Sequence, residues 1–466
     1  MTSAVILINW IILWYLVVLT FGYLVLLVVS LPGIFNRYKE TEIINLSSLM
    51  KSNIMPHITT IIPAYNEEEN IIDTIYSVLR SSYTNIDVIV VNDGSTDKTL
   101  QKLIETFDLI QIAPFVQGTI KTHGKINGYY VSRFLLNVTV IDKEHTWRSD
   151  TLNVGVNACR TDLCMTLDAD TILEEQTISR VMFAMLIQPN TVSIGGGLYI
   201  LNGRTCQDGE ITDGKMPSNP IYGFQACEFM RSFLFCRTGW NVFGGGLSYS
   251  GAFTCFQTDV LVKLGGFEAY NLAQDFEIIT HLQAYIRENQ LPHVIAFTPA
   301  SVAFTDVPGT LKSYWQQRFN WQYWTLHSLF RHVRMLFNPT YGIIGFITYP
   351  FFLFGEIFGP VVEFIAYFMI ILSGYLGILD VHWTILILVL CWGFITFLTM
   401  ATALINFLTF KKYARTTDLL LMLFYIVVEN FGFHQFSVIC RTWATLCYFV
   451  DKLKFWNYRE TEQNLT

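Results

Sequence analysis

The stretch LCMTLDAD, residues 163–170, places two aspartates directly after a short apolar run. An apolar run of this length that ends in polar residues is typical of a buried strand. Two carboxylates separated by one residue, as Asp168 and Asp170 are here, supply the oxygen ligands that Mg²⁺ and Mn²⁺ take. Taken alone, the motif also fits an ordinary polar turn.

The flanking segments repeat an alternation of strand-like and helix-like patterns. The patterns are apolar runs at 58–62 and 87–91, polar clusters at 63–69 and 92–96, and helical patterns at 67–80 and 97–107. Strands that alternate with helices predict an α/β domain with a mostly parallel sheet. Ligands bind such sheets beyond the carboxyl ends of the strands, so the polar clusters are predicted to meet at one site.

The composition predicts membrane segments. The 466 residues are 52% hydrophobic and only 14% charged, against about 25% charged in an ordinary soluble domain. Residues 4–29 carry no charge and can cross a hydrocarbon core of about 30 Å. They lack the cationic start of a signal peptide, which favours a retained anchor. Arg37 and Lys39 follow, so the positive-inside rule places the next domain in the cytoplasm.

Three further apolar blocks lie toward the end of the chain, at 343–373, 383–410 and 418–450. The last block is long for one span and short for two, so it fits a re-entrant hairpin or one span followed by an interfacial helix. Glu356 and Glu363 interrupt the first block; they either line a channel or face water from an interfacial helix.

These patterns divide the chain into three predicted parts. They are an N-terminal transmembrane anchor at 1–32, a cytosolic domain at 33–330, and interfacial and transmembrane helices at 331–466 with about three membrane segments. Within the second part, residues 113–138 are polar and irregular, and we interpret them as a surface insertion.

The net charge argues against nucleic-acid binding, and the spacing of the cysteines argues against a zinc site. The net charge of −7 argues against a nucleic-acid partner, which would require a basic face. The nine cysteines form no CxxC pair and no cluster with zinc spacing, so they are interpreted as reduced thiols.

Three other motifs carry groups that can bind a ligand or take part in catalysis. In VNDGS (91–95) an aspartate can bind a nucleotide base or ribose, or cap a helix. In AQDFE (273–277) a carboxylate can accept a proton from a hydroxyl, or serve as a helix N-terminal acid. In QQRFNW (316–321) polar and aromatic groups can contact sugar and phosphate, or anchor an interfacial helix.

Taken together and in this order, the motifs resemble the membrane-integrated family 2 glycosyltransferases of the inverting GT-A type. That group includes the synthases of cellulose, hyaluronan, chitin and poly-N-acetylglucosamine. The matching segments are PAYNEE (63–68), NDGS (92–95), RSDTLN (148–153), DAD (168–170), SGAF (250–253), QD (274–275) and QRFNW (317–321). The resemblance implies a cytosolic GT-A domain beside transmembrane helices, in a multi-pass protein of the cell membrane.

The resemblance also implies a role for each matching residue. Donor binding would fall to Pro63, Ala64, Tyr65, Glu67, Asp93, Arg148, Asp150 and Asp168, and the metal, Mg²⁺ or Mn²⁺, to Asp168 and Asp170. Acceptor binding would fall to Gly251, Ala252, Phe253, Gln317, Arg318 and Trp321, and the general base would be Asp275.

The implied activity is that of a metal-dependent hexosyltransferase. It would use a UDP-sugar, UDP-glucose or UDP-N-acetylglucosamine first, to extend a β-linked polysaccharide and export it through the membrane. A small accessory membrane subunit is a possible partner, beside the membrane lipids. One alternative is a single addition to a lipid-linked acceptor; another is a degenerate transferase that serves as a scaffold.

Three departures from the family pattern stand out. Asn320 replaces the arginine of the Gln-x-x-Arg-Trp motif, Arg148 replaces the lysine of a Gly-Lys pair, and Gln274 replaces an acid. Arg148 can bind phosphate in a bidentate manner, and we hypothesise that it offsets the positive charge missing at Asn320.

Overall fold

The computed structural model describes residues 2–43, 55–115, 118–269, 271–413 and 415–463. The strands are β1 (Ile58–Ala64), β2 (Ile86–Asp93), β3 (Leu109–Ile112), β4 (Ile126–Ser132), β5 (Val138–Lys143), β6 (Leu163–Leu167), β7 (Thr171–Leu173), β8 (Thr191–Ile200), β9 (Thr205–Gln207), β10 (Glu210–Asp213), β11 (Phe253–Gln257) and β12 (Val294–Thr305).

The helices alternate with these strands and then continue alone toward the end of the chain. They are α1 (Thr2–Ile43), α2 (Ile71–Leu79), α3 (Thr99–Phe107), α4 (Arg148–Ala158), α5 (Thr177–Ile187), α6 (Pro220–Met230), α7 (Arg237–Val242), α8 (Thr258–Lys263), α9 (Gln274–Glu288), α10 (Leu311–Arg331), α11 (Gly359–Tyr375), α12 (Val381–Leu388), α13 (Phe394–Leu408), α14 (Thr416–Val428) and α15 (Phe433–Gln463). Short π-helical segments lie at Arg231–Cys236, Ile344–Thr348, Phe351–Ile357 and Val389–Gly393, and 3₁₀ turns at Val333–Met335 and Pro339–Tyr341.

Ten strands form one sheet in the order β3-β4-β5-β2-β1-β6-β11-β8-β12-β7. Strands β5, β2, β1 and β6 run parallel, whereas β11 is antiparallel to both β6 and β8. The predicted α/β fold is confirmed, with a mixed sheet beyond its parallel centre. In the parallel centre, β1 and β2 end at the polar clusters 63–69 and 92–96, and β6 ends at Asp168 and Asp170.

Helix α4 packs directly against this parallel centre at one glycine. A Cβ on Gly155 would lie 2.2 Å from Cγ2 of Ile61 in β1, so a larger residue would push the helix away. Helix α4 begins at Arg148 and carries Asp150 in its first turn. The close packing therefore holds the side chains of Arg148 and Asp150 near the carboxyl ends of the parallel strands.

Two details of the sheet domain differ from the sequence prediction. The helix predicted from residue 67 begins at Ile71, and before it the amides of Glu67 and Glu68 donate to Thr99 Oγ1 at 2.9 Å and Asp97 Oδ2 at 3.1 Å. The interpretation of 113–138 as an irregular insertion is wrong for residues 126–132, which form β4 between β3 and β5. Tyr129 in this strand packs into a buried apolar cluster.

The apolar helices are of two kinds. Residues 3–40, within α1, form a helix long and apolar enough to cross a membrane. Two pairs of helices, 344–357 with α11 and α14 with 433–452, pass the same test together but are bent by 43° and 56°. By length and composition the described residues therefore contain one such helix, or up to three if each bent pair counts as one span. The multi-pass topology stays a prediction.

The two glutamates in the first apolar block lie against neighbouring helices. Tyr23 of α1 donates a hydrogen bond to Glu356 Oε1 at 2.6 Å, and His434 Nε2 of α15 lies 2.9 Å from Glu363 Oε1. Partners on other helices favour a role for these carboxylates inside the helical assembly over the alternative of an interfacial helix that faces water.

Candidate active site

The polar clusters after β1 and β2 meet as predicted. Ala64 at the end of β1 is in register with Asn92 of β2, and Asn66 Oδ1 accepts a hydrogen bond from the Thr96 amide at 2.8 Å. The exposed ring of Tyr65 stacks on His145, with centroids 4.1 Å apart. This pair forms a flat aromatic surface beside Asp93, since His145 Nδ1 lies 3.0 Å from Asp93 Oδ2.

A lysine that the sequence analysis missed joins two of the predicted residues. Lys143 is completely buried, and its Nζ lies 2.7 Å from Asp93 Oδ1 and 3.3 Å from Asp150 Oδ2. The register of the sheet explains the contact, because Lys143 of β5 lies directly beside Asp93 of β2. The sequence held one signal for this contact: β5 ends in a basic residue, and the neighbouring β2 ends in an acid.

Asp150 is bound by protein donors on both oxygens. The His123 amide donates to Asp150 Oδ1 at 2.6 Å and the Thr146 hydroxyl to Oδ2 at 2.9 Å, beside the Lys143 contact. The carboxylate is also buried. This arrangement suits Asp150 to orient Lys143 and the strand ends around it, whereas its predicted role in donor binding stays a prediction.

Arg148 lies between the acids that follow β6 and the first turn of α9. Its Nη2 contacts Asp168 Oδ1, and with the Gln274 amide oxygen turned toward it the guanidinium also donates to Gln274. Asp170 accepts from the hydroxyls of Thr171 and Thr305, each at 3.3 Å. Burial raises the pKa of Asp170, and these hydroxyls and Arg148 offset part of that rise.

Two further acids face Asp170. Burial raises the pKa of Glu67 to about 7, and Asp170 adds to the rise. The same two causes raise the pKa of Asp306, directly after β12, to about 6. Asp306 was not among the predicted residues. A cation bound near Asp170 would offset the mutual repulsion of these acids.

Glu67→Gln is expected to stabilise the protein in alkaline but not in acidic buffer. Because the folded pKa of Glu67 is raised, ionisation opposes folding, and stability is lost as the pH rises from about 4.5 through about 7. Removing the charge should therefore increase the free energy of unfolding by about 1 kcal/mol at about pH 8, after discounting for partial exposure, and by less at about pH 5.

The Glu67→Gln prediction is checked by thermal unfolding in detergent at both pH values. The exposed Glu105→Gln, which faces solvent on α3, is the matched control. An equal shift of the midpoint at both pH values would contradict the assigned cause.

Asp275 lies in the first turn of α9 and lines a pocket with Arg148, Ser250, Gly251 and Gln274. Gly251 is in close contact with it, because a Cβ at that position would lie 2.8 Å from Asp275 Oδ2. Of the other predicted acceptor residues in this segment, Ala252 is nearly buried and Phe253 is completely buried as the first residue of β11. Only Gly251 of the three is thus placed against the pocket.

The QRFNW motif lies on α10, with its arginine already paired. Arg318 is buried, its Nη2 lies 2.9 Å from Glu228 Oε2, and its guanidinium lies over the rings of Tyr314 and Trp321. Trp321 keeps 45% of its surface exposed. Gln317 Oε1 is buried with no hydrogen-bond partner among the described residues. Trp321 therefore keeps exposed surface at this site, while Arg318 holds the motif to α6.

The oxygen donors at this site fit a hard divalent cation. Asp168 and Asp170 offer carboxylates, the ligand type that Mg²⁺ and Mn²⁺ take. Across the described ranges, no three His, Cys, Asp or Glu side chains are gathered closely enough to hold a metal ion. An ion held here would therefore take its remaining ligands from substrate and water.

Two family models match this chain. The model of the family described as "Glycosyl transferase family 2" matches residues 59–208, and that of "Glycosyl transferase family group 2" matches residues 163–450, more than half of the chain.

Among curated proteins, the poly-beta-1,6-N-acetyl-D-glucosamine synthase of Staphylococcus aureus is 24% identical over 57% of this chain and 53% of its own length. The synthase of the same name from Staphylococcus epidermidis is 23% identical over 62% of this chain and 60% of its own length. The match thus spans little more than half the length of these relatives.

Among solved structures, the mannosyltransferase PcManGT from Pyrobaculum calidifontis, in complex with GDP-Man and Mn²⁺, is 16% identical. It matches with a TM-score of 0.49 over 89% of this chain and 99% of its own.

Proposed function

Because this chain belongs to glycosyl transferase family 2, we propose that it transfers a hexose from a UDP-sugar to a growing β-linked polysaccharide at the cytoplasmic face of the cell membrane. One observation carries the proposal: Gly251, Asp275 and Arg148 line the same pocket, and Arg148 contacts Asp168. A candidate base and candidate diphosphate ligands therefore border the same small space.

The donor side is supported by the groups at the ends of β1, β2 and β5. Lys143 holds the carboxylate of Asp93 in place. There the carboxylate can accept hydrogen bonds from the base or the ribose of the nucleotide. The Tyr65–His145 stack beside it suits the flat face of a base. Asp168 and Asp170 would hold Mg²⁺ or Mn²⁺, which when bound would neutralise charge on the diphosphate leaving group.

The chemistry is a single in-line displacement. The acceptor hydroxyl oxygen forms a bond to the anomeric carbon while the bond from that carbon to the diphosphate oxygen breaks. The hydroxyl proton passes to Asp275, and UDP leaves with the electron pair of the broken bond. Attack from the opposite side inverts the anomeric centre, so an α-linked UDP-sugar gives a β-linked product.

The nature of the polymer and its export are inferred from the relatives and the helices. Both reported relatives carry the name poly-beta-1,6-N-acetyl-D-glucosamine synthase, which favours UDP-N-acetylglucosamine over UDP-glucose as the donor. The helices that follow α10 carry polar contacts such as Glu363 with His434, and they support a path for the polymer across the membrane beside the site.

The proposal is tested with detergent-purified protein, a panel of UDP-sugars, and Mg²⁺ or Mn²⁺. One donor should yield high-molecular-weight product that is absent with Asp275→Asn. A short, lipid-extractable product would establish single addition to a lipid-linked acceptor instead. No turnover of any donor, with native membranes supplied as a source of acceptor and accessory subunit, would contradict the proposal and favour a scaffold.

Gly251→Ala is expected to reduce sugar transfer by about 10²-fold, because displacing a reacting group by about 1 Å has an effect of that size. The added methyl group meets Asp275 Oδ2 at 2.8 Å, and the carboxylate must move away from the pocket. The check is kcat for product formation beside UDP affinity, which should not change since Asp93 and Asp168 are untouched. Unchanged kcat would show that Asp275 does not need its present position.

A further inference from the structure

Two departures from the family pattern meet in this structure. Arg148, at the position of the family's lysine, and Gln274, at the position of an acid, are far apart in the sequence but lie against each other. Gln274 can also donate to the carbonyls of Asn271 and Leu272, each at 3.2 Å. Gln274 is thus held in place and offers Arg148 a neutral partner, where a carboxylate would bind the guanidinium as an ion pair.

The other partner of Arg148 is a predicted metal ligand. Arg148 Nη2 contacts Asp168 Oδ1, and both side chains are about one third exposed, at 33% and 29%. A metal ion and a guanidinium on the same carboxylate weaken each other's binding, because both are cations that repel at close range and draw on the same negative charge. Arg148 and a divalent ion therefore compete for Asp168.

The competition matters because the protein supplies few ligands. No cluster of three metal-binding side chains occurs in the described part of the chain, so the ion would depend on substrate phosphates as well as on Asp168 and Asp170. Arginine in turn binds phosphate in a bidentate manner. When a diphosphate arrives, Arg148 gains a second anionic partner within the same pocket and can release Asp168.

We propose that Arg148 changes its partner when the donor binds. Without donor, Arg148 occupies Asp168 and opposes binding of the metal ion. With donor, Arg148 moves to the diphosphate, and the metal ion can bind Asp168. The neutral Gln274 makes this exchange possible, because it holds the guanidinium in the pocket without a second ion pair. The inference rests on the proposed function. Its consequence is that metal and donor bind together, and that the metal alone binds weakly.

The test is Mn²⁺ binding to the full-length protein in detergent, measured by electron paramagnetic resonance of free Mn²⁺, first without and then with UDP. Without UDP, Arg148→Gln should bind Mn²⁺ about tenfold more tightly than the unchanged protein, since a competing and repelling cation is gone. With Mn²⁺ present, the same variant should bind UDP about tenfold more weakly, since a phosphate ligand is lost.

Two further variants locate the effect. Arg148→Gln combined with Asp168→Asn should lose the gain in Mn²⁺ affinity. The matched control is Arg133→Gln, which removes an arginine paired with Asp108 at 3.8 Å on the surface and should change neither binding constant. If Arg148→Gln does not fold, Arg148→Lys gives the same comparison with a smaller gain, because lysine cannot bridge Asp168 and Gln274.

Mn²⁺ affinity that is the same in the folded Arg148 variant and the unchanged protein would overturn the exchange and make Arg148 a permanent brace for Asp168. That result is distinct from failure of the proposed function, which would appear as unchanged protein that binds no UDP in the presence of Mn²⁺.

Discussion

Asp275→Asn is expected to reduce sugar transfer by about 10²–10⁴-fold, the range that a positioned general base contributes. The amide keeps the shape of the side chain at the start of α9 but cannot accept the proton of the attacking hydroxyl. Asp93 and Asp168 are unchanged, so UDP should bind the variant in the presence of Mn²⁺ as it binds the unchanged protein. The measurement is the rate of UDP release and product formation at saturating donor.

The matched control for Asp275→Asn is Asp259→Asn. Asp259 is also an acid in the first turn of a helix, but it is exposed and paired with Lys263 on the surface, so its loss should leave the rate unchanged. Retention of the full rate by Asp275→Asn would remove Asp275 from the reaction and leave the site without an assigned base.

Lys143→Met is expected to lower the free energy of unfolding by about 3–5 kcal/mol, because it leaves buried acids without their cation. Lys143 is completely buried between Asp93 and Asp150, and both acids are nearly buried as well. Methionine fills most of the space of the lysine stem, so the loss reports charge more than volume. Thermal unfolding in detergent measures the effect, and UDP affinity should fall with it because Asp93 loses its anchor.

A second change distinguishes a charge effect from general damage. Adding Asp93→Asn to Lys143→Met removes one uncompensated acid and should restore part of the lost stability. Lys263→Met, at an exposed pair on the surface, should leave the unfolding midpoint where it was. Equal destabilisation in the single and double variants would contradict the pairing of Lys143 with Asp93.

The sequence was sufficient for the parts of the fold that depend on local patterns. The strand at 163–167 was predicted with its observed bounds, because a short apolar run followed by acids has few other structures. The meeting of the clusters after β1, β2 and β6 followed from the rule for parallel strands. Strand β4 was missed because Asn127 and Gly128 interrupt its apolar alternation, and its place depends on pairing with β3 and β5.

Contacts between distant segments could not be predicted in this way. The pairing of Arg148 with Gln274 joins α4 to α9, and the pairing of Arg318 with Glu228 joins α10 to α6. Each depends on the packing of whole helices, which no local spacing encodes. The burial of Lys143 is similar, because a lysine in a sequence is normally expected at the surface.

The measurement that tests the account most directly is the anomeric configuration of the newly added sugar, read by proton NMR after incubation with an α-linked UDP-sugar and Mn²⁺. We expect a β-linked sugar formed in step with UDP release, because Asp275 activates the acceptor for one displacement at the anomeric carbon. An α-linked product would contradict this mechanism, and intact donor after prolonged incubation with native membranes would contradict the assignment of a transferase.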